Sequence, residues 1–151
     1  MSAISVRKAV LDDLQEILKI EQANASAAHW NPSEYERLFE DSGIRRLALV
    51  AEAGKAVAGF VIAREVATEW ELENIAVAPD RQGQGIGAGL LQALLEQVRE
   101  ACGTKLMLEV RESNLTARGL YERAGLGVCG RRKHYYQRPP EDALLFEKKL
   151  A

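Results

Sequence analysis

The residues with the clearest chemical meaning lie between positions 74 and 91. There Asn-Ile-Ala-Val-Ala-Pro-Asp-Arg-Gln-Gly-Gln-Gly-Ile-Gly-Ala-Gly-Leu-Leu passes from an apolar strand end through a glycine loop into an amphipathic stretch. Gly83, Gly85, Gly87 and Gly89 alternate across the loop and the turn that follows. Glycine lets a backbone approach a ligand closely and take dihedrals closed to other residues. The first N–H groups of a helix have no intrahelical partner, and the helix dipole favours an anion beside them. Strand, glycine loop and helix start together read as a phosphate-binding site. Just upstream stand two carboxylates, Glu71 and Glu73, on a strand face that continues into Ile75 and Val77. A solvated strand end and the polar wall of a cleft account for them equally well.

Holding such a loop requires an α/β framework, and the apolar pattern supplies one. Residues 4–9 read as a short strand. Asp12 or Asp13 caps a helix whose apolar stripe is Leu14, Ile17, Leu18 and Ile20. Residues 24–30 are small and polar apart from Trp30 and read as a loop. Asn31-Pro32 opens a second helix with Tyr35, Leu38 and Phe39 on its apolar side. Strands follow over 46–53, 56–66 and 69–77, the first two joined by a tight Gly54-Lys55 turn. Simple alternation puts Glu71, Glu73, Ile75 and Val77 on one face and Trp70, Leu72, Asn74 and Ala76 on the other. The helix after the glycine loop carries Leu90, Leu91, Leu94, Leu95 and Val98 and ends near Cys102-Gly103, with glycine as its stop. A strand over 105–110, a helix from Asn114 to about Ala124 stopped by Gly125, a long strand over 127–137, an Arg138-Pro139-Pro140 loop and a strand over 143–150 complete the chain. The order β-α-α-β-β-β-α-β-α-β-β predicts one α/β (α+β) domain over residues 1–151. Its sheet is expected to be mixed and mostly antiparallel, with about seven strands and four helices.

Composition narrows the setting. The chain has 151 residues, 47% apolar and 28% charged, ordinary for a globular protein with a real core. A net charge of −2 gives no global basic field, so no specific nucleic-acid partner is predicted. No run of about 18 apolar residues suggests a membrane span, and the N-terminus lacks the apolar core of a signal peptide. Cys102 and Cys129 are far apart with no metal-ligand spacing. Two reduced thiols in a cytoplasmic protein without a metal are expected.

Three readings of the glycine loop compete. A Walker loop needs Lys-Ser or Lys-Thr after its glycines, and neither follows here. Gly83-x-Gly85-x-x-Ala88 fits a dinucleotide fingerprint, but three strands precede it and only about 60 residues follow, against the expected place at the start of a βαβ unit. The third reading is specific. Gln82-Gly-Gln-Gly85-Ile-Gly87 resembles the Q/R-x-x-G-x-G/A loop of the GNAT superfamily of N-acetyltransferases, and the element order resembles that family's over nearly the whole chain. Leu108-Glu-Val-Arg-Glu-Ser-Asn114 followed by Leu120-Tyr-Glu-Arg-Ala-Gly125 resembles a signature of the RimI branch. So does Arg131-Arg-Lys-His-Tyr-Tyr136 followed by Glu141-Asp-Ala-Leu-Leu145. Leu126 stands where that branch usually carries Phe, and the loop before Asn31 keeps Trp30 without the usual Pro-Trp order.

The resemblance implies acetyl-CoA as co-substrate and a protein N-terminus as acceptor, in this branch the N-terminal alanine of a small-subunit ribosomal protein. It implies that the backbone of Ile75, Ala76 and Val77 carries the pantetheine arm. Gln82, Gly83, Gln84, Gly85, Ile86, Gly87 and Ala88 would then form the pyrophosphate grip, with Asn114 as both helix cap and contact to the arm. The chemistry asks for a base to take the ammonium proton, a donor to the oxyanion and an acid for the leaving thiolate. An α-amino group has a reference pKa of about 8, so a carboxylate has a manageable task. Glu109 matches the branch's base position, though a sheet carboxylate paired with an arginine is its other reading. Glu71 matches a base position common in other GNAT enzymes, Glu73 is the third carboxylate, for the base or for binding the ammonium, and a water chain could share the task among them. Tyr121 matches the family's general acid and also sits at the thiol end of the coenzyme; a phenol with pKa about 10 is protonated at neutral pH. Trp30, Arg111, Tyr135 and Tyr136 are expected to border the acceptor groove. His29 and His134 show no partner in sequence, and the basic run Arg131-Arg132-Lys133 reads as a solvated face that could also approach phosphates. Two other readings stay open: a GNAT enzyme acting on a lysine side chain or a small-molecule amine, and a coenzyme-binding regulatory module without catalysis.

Overall fold

The structure, a computed structural model, describes residues 4–24, 27, 30–40 and 43–150. Among them, seven strands form one sheet: β1 (Ile4–Lys8), β2 (Arg46–Ala53), β3 (Ala56–Val66), β4 (Glu69–Val77), β5 (Lys105–Arg111), β6 (Gly127–Gln137) and β7 (Pro140–Lys149). Their order across the sheet is β1-β2-β3-β4-β5-β7-β6. Each neighbouring pair is antiparallel except β4 with β5, which the crossover helix makes parallel. The helices are α1 (Leu14–Gln22), α2 (Pro32–Glu36), α3 (Ile86–Glu100) and α4 (Leu115–Arg123). The expected mixed sheet with seven strands and four helices is therefore the fold observed. No helix among the described residues is long and apolar enough to cross a membrane.

Each sheet face has its own core. On one face α3 lays Leu90, Leu91, Leu94, Leu95 and Val98 on Val61, Ala63, Trp70 and Leu106, and Tyr121 and Leu126 extend that core over Leu144 and Phe146. On the other face α1 and α2 bury Leu14, Ile17, Ile20 and Tyr35 against Val50, Phe60, Ile62 and Ala76. Asp13 stands at the N-cap position before α1, but its carboxylate makes no capping bond to the helix, which corrects the capping role expected from the sequence. Both its oxygens lie 2.8 Å from Arg7, and Oδ2 accepts the Val10 N–H. The Arg7 guanidinium holds the Asp13 carboxyl below its usual range.

The strand carrying the two carboxylates departs from simple alternation. Ile62 pairs with Asn74 and Ala63 with Leu72, so Glu73 is an extra residue, a β-bulge. A one-residue insertion swaps the faces of everything beyond it. Trp70 and Leu72 pack on the α3 face, whereas Asn74 and Ala76 lie on the α1–α2 side, with Asn74 donating to the Tyr35 hydroxyl at 2.8 Å. Ile75 and Val77 pack with the α3 core, away from Glu71. The uniform faces expected from the sequence are thus corrected: the bulge separates Glu71 from Ile75 and Val77.

Two chain ends of helices also differ in kind. α4 stops as its sequence suggests, with Gly125 at φ 92° and the Leu126 N–H on the Tyr121 carbonyl at 3.0 Å. At the end of α3 the left-handed residue is Cys102 (φ 61°), not the glycine. Gly103 is needed for space: a Cβ there would stand 2.5 Å from Val98 Cγ1 and 2.6 Å from Trp70 Cδ1. Gly103→Ala is therefore expected to destabilise the fold by about 1–3 kcal/mol through overpacking. Cys102→Gly, which relieves a left-handed side chain, should not destabilise it. Urea unfolding midpoints of the two variants decide between a steric and a conformational role for Gly103.

The β6–β7 hairpin is tighter at its tip and looser in its middle than expected. Gln137 pairs with Pro140, so the loop shrinks to Arg138-Pro139, whose peptide is cis, and the last strand starts at Pro140 instead of Ala143. Proline is tolerated as a first strand residue because no ladder donor is needed there. Between Arg132 and Tyr136, three residues of β6 face the single Asp142 of β7. His134 takes φ 53° at the bulge and its backbone N–H donates to Asp142 Oδ1 at 2.9 Å.

Candidate active site

β4 and β5 pair only through Glu69–Lys105, Trp70–Leu106 and Glu71–Met107, and then part. A cleft of about 930 Å³ opens between them. It is lined from β4 by Glu71, Glu73, Asn74 and Ile75, from β5 by Glu109 and Arg111, from the α4 region by Asn114, Ala117 and Tyr121, and from β6 by Tyr135 and Tyr136, with Trp30 at its border. Ten sequence-selected residues (Trp30, Glu71, Glu73, Ile75, Glu109, Arg111, Asn114, Tyr121, Tyr135 and Tyr136) therefore share one cavity. His29 lies outside the described residues, and His134 is not part of the lining.

The cleft joins the two faces of the sheet. Leu106, Leu108 and Val110 of β5 pack in the α3–α4 core, so Glu109 points to the opposite face. Glu71, level with Met107, shares that face with Glu109. Tyr121 belongs to the α3–α4 core. Carboxylates and phenol therefore approach the gap from opposite sides.

Each acid has an arginine. Glu73 is bonded to Arg46 at 2.9 and 3.4 Å, and the Arg46 guanidinium stacks 5.7 Å from the Trp30 ring centroid. Glu71 meets Arg64 at 3.2 Å. Glu109 meets Arg132 at 3.0 Å. Arg111 is committed to the hairpin tip, donating to the carbonyls of Pro139 and Arg138 at 3.0 Å each, while its guanidinium lies 4.2 Å from the Tyr136 ring centroid. Burial, then the charge of Tyr136, pushes the Tyr121 phenol well above its usual range. The Glu109 charge raises the Tyr135 phenol, and burial raises Tyr136. Asn114 caps α4 as expected, its Oδ1 accepting the Ala117 N–H at 3.1 Å.

The glycine loop adjoins this cleft without lining it. After a 3-10 turn, Pro79–Arg81, the chain reaches Gly83 and Gly85, both left-handed at φ 80° and 81°, and α3 starts at Ile86. The first helical donor is Gly89, bonded to the Gly85 carbonyl, so residues 86–88 have no i−4 carbonyl to use. A Cβ at Gly83 or Gly85 would meet nothing within 4 Å, so dihedral freedom and open space, not crowding, mark these positions. At Gly87 a Cβ would stand 3.4 Å from Leu120, which places the helix start against the helix that carries Tyr121. Gln82 folds back: its amide donates to Asn24 Oδ1 at 3.0 Å and to the Val77 carbonyl at 3.2 Å. Asn24 donates to that carbonyl too, at 3.1 Å, so these two side chains fasten the loop to the end of β4. An exposed, glycine-lined helix start beside a strand gap is a fit for an elongated phosphate ester.

A profile of the acetyltransferase (GNAT) family matches residues 11–126, from the start of α1 past the end of α4. The chain belongs to the GNAT family. It is 40% identical to the [ribosomal protein bS18]-alanine N-acetyltransferase of Haemophilus influenzae over 139 residues, covering 92% of this chain and 90% of that protein. The ribosomal-protein-S18-alanine N-acetyltransferase of Escherichia coli superposes with a TM-score of 0.86 at 30% identity, over 99% of this chain and 95% of that one. A Salmonella typhimurium protein solved with its cofactor acetyl-CoA has the same fold, with a TM-score of 0.84 at 20% identity over 99% and 95% of the two chains. This GNAT chain is accordingly an N-acetyltransferase.

Arg46 and Arg64 at the GNAT cleft carry no motif, and Arg132 stands out in sequence only as part of a basic run. Arg64 was legible in principle: a two-residue Ala67-Thr68 turn places it opposite Glu71. Arg46 and Arg132 were not, because their acids are 27 and 23 residues away and no local pattern joins them. The basic run is no free field, since Arg131 pairs with Glu112 and Asp142 and Arg132 with Glu109.

Proposed function

We propose that the protein transfers the acetyl group of acetyl-CoA to the N-terminal α-amino group of a protein, with the N-terminal alanine of ribosomal protein bS18 as acceptor. The observation that carries this reading is the parting of β4 and β5 directly between the glycine loop and the three carboxylates. Similarity to bS18-alanine acetyltransferases over about nine tenths of both chains supports the choice of acceptor.

In this reading the N–H groups of residues 83–88 hold the pyrophosphate. The backbone of Ile75, Ala76 and Val77 pairs with the amides of the pantetheine arm where β5 has drawn away, and the Asn114 amide nitrogen donates to that arm. The thioester then lies in the sheet gap. On the α1–α2 side Glu109 takes the proton of the incoming ammonium, directly or through water, with Glu71 as the second carboxylate. Glu73, braced by Arg46, contributes negative charge at the acceptor end, bordered by Trp30, Arg111, Tyr135 and Tyr136. On the other side Tyr121 donates a proton to the departing sulfur. Proton removal and proton delivery thus occur on opposite faces of one sheet, and neither group competes with the other.

A panel of short peptides with Ala, Ser and Met N-termini, an N-terminally blocked lysine peptide, polyamines and aminoglycosides tests the acceptor class. The Ala peptide is expected to turn over fastest. Absence of transfer to every free peptide N-terminus, with transfer to lysine or a small amine, would reject the reading.

A further inference from the structure

Arg131 and Arg132 are neighbours in one basic run, yet they are held in different ways. Arg131 is fixed between two acids, Glu112 and Asp142, and braces the β6 bulge. Arg132 reaches Glu109 with Nε 3.0 Å from Oε1. Its guanidinium also lies 5.6 Å from the Tyr135 ring centroid, and the Glu109 charge in turn raises the Tyr135 phenol. The side chain of Arg132 is 57% exposed and that of Glu109 only 23%.

The three acid–arginine pairs of the cleft differ in kind. Glu73 and Arg46 are both shielded, at 12% and 17%, and bonded twice, so that pair is a fixed brace. Glu71 and Arg64 are each about two-fifths exposed on neighbouring strands. Arg132 pairs the most exposed of the three cations with a partly shielded acid. Such a pair is weak, because solvent screens it and ordering a long side chain costs entropy. Its partner is the carboxylate that an acceptor ammonium must reach.

We propose that Arg132 is the resident counter-ion of Glu109 and that the acceptor ammonium displaces it. The inference rests on the reading above, in which the acceptor amine approaches Glu109. Before the acceptor arrives, Arg132 holds the carboxylate at the cleft. The ammonium then takes the position of the guanidinium, and Arg132 keeps the face of Tyr135 as a cation–π partner. Of the other arginines around the cleft, Arg64 is bound to Glu71, Arg46 to Glu73, and Arg111 to Glu141 and the hairpin carbonyls, while Arg138 lines the cleft at the hairpin tip. Exchange of one cation for another keeps the local charge constant and makes an uncharged N-terminus a poor occupant of the site. Arg132 is a positioning residue in this scheme, since it acts on the reaction through Glu109.

The test is a binding cycle with two peptides and five proteins (wild type, Arg132→Gln, Arg132→Lys, Glu109→Gln and the Glu109→Gln/Arg132→Gln double variant), each bound to coenzyme A. The peptides share one sequence beginning with Ala, one with a free amine and one N-acetylated. Removing Arg132 removes the competitor, so Arg132→Gln should bind the free-amine peptide about three- to fivefold more tightly, the upper range for an exposed ion pair. The acetylated peptide has no cation to exchange, and its affinity should change less than about 1.5-fold, within the scatter of a surface substitution. Arg132→Lys should restore wild-type behaviour. In a Glu109→Gln background, Arg132→Gln should have no effect on either peptide. Equal changes for both peptides, or weaker binding of the free amine in Arg132→Gln, would overturn the proposal. Failure of the base assignment shows separately, as a Glu109→Gln enzyme with wild-type turnover.

Discussion

Tyr121→Phe is expected to lower kcat by about 10²-fold, the low end of general-acid contributions, while the affinity for coenzyme A stays within about twofold, because the ring is kept. Tyr121 is 5% exposed, packs 5.9 Å from the Phe146 ring centroid, and is fixed at its carbonyl by the Leu126 N–H. Phenylalanine keeps all of that packing and removes one oxygen. The role assigned to that oxygen is proton donation, and its surroundings favour it. Burial disfavours the phenolate, and the nearby Tyr136 adds to this. A phenol whose pKa is raised stays protonated through the whole neutral and mildly alkaline range, so its contribution should not titrate between about pH 6 and pH 9. Steady-state kinetics over that range, with calorimetry for coenzyme A, separate the acid role from a packing role. Equal kcat in the variant would remove Tyr121 from the chemistry. A parallel loss of coenzyme affinity would assign it to binding instead.

The parts of this molecule that were legible in the sequence are those written in local patterns. The α3 stripe of Leu90, Leu91, Leu94, Leu95 and Val98 is both periodic and fully buried. Gly125 ends α4 at a positive φ, and Gly83 and Gly85 take the left-handed dihedrals that a glycine loop suggests. The grouping of residues from 71 to 136 came from the family resemblance, not from any local pattern, and those residues line one cavity. What stayed hidden needed either one inserted residue or a distant partner. The bulge at Glu73 leaves the string Glu-Trp-Glu-Leu-Glu-Asn alternating as before, while the pairing register shifts by one and reverses the faces. Gly103 resembles a helix stop, yet its reason lies in Trp70, 33 positions earlier in the chain, whose ring fills the space a Cβ would take. The excursion of β6 at His134 is stabilised by Asp142 on the next strand. Patterns of period two or 3.6 carry element type and leave out which strand residue is supernumerary and which acid meets which arginine.

Glu109→Gln is expected to have the largest effect of any conservative substitution at the cleft, a loss of about 10²–10⁴ in kcat/KM at pH 7. The size follows from what the carboxylate does in the proposed reaction. With an α-amino pKa of about 8, roughly one acceptor in ten is neutral at pH 7, so both proton removal and orientation of the amine are asked of the enzyme. At about pH 9 most of the amine is already neutral and the first task disappears. The deficit of Glu109→Gln should therefore shrink as pH rises, while that of Tyr121→Phe should not. Glu71→Gln is the control. Glu71 shares the face of Glu109 but lies where β4 and β5 are still paired, at the closed end of the gap, with Arg64 on it at 3.2 Å. Glu109 lies two residues further along β5, beyond the last paired position, where the strands have parted. A base must reach the amine that attacks a thioester lying in the gap, so the residue at the open end should carry the larger loss, by about tenfold or more. Kinetics of both variants from pH 6 to pH 9.5 decide the assignment. A larger loss in Glu71→Gln would move the base to β4, and small losses in both, closing with pH, would place deprotonation in solvent.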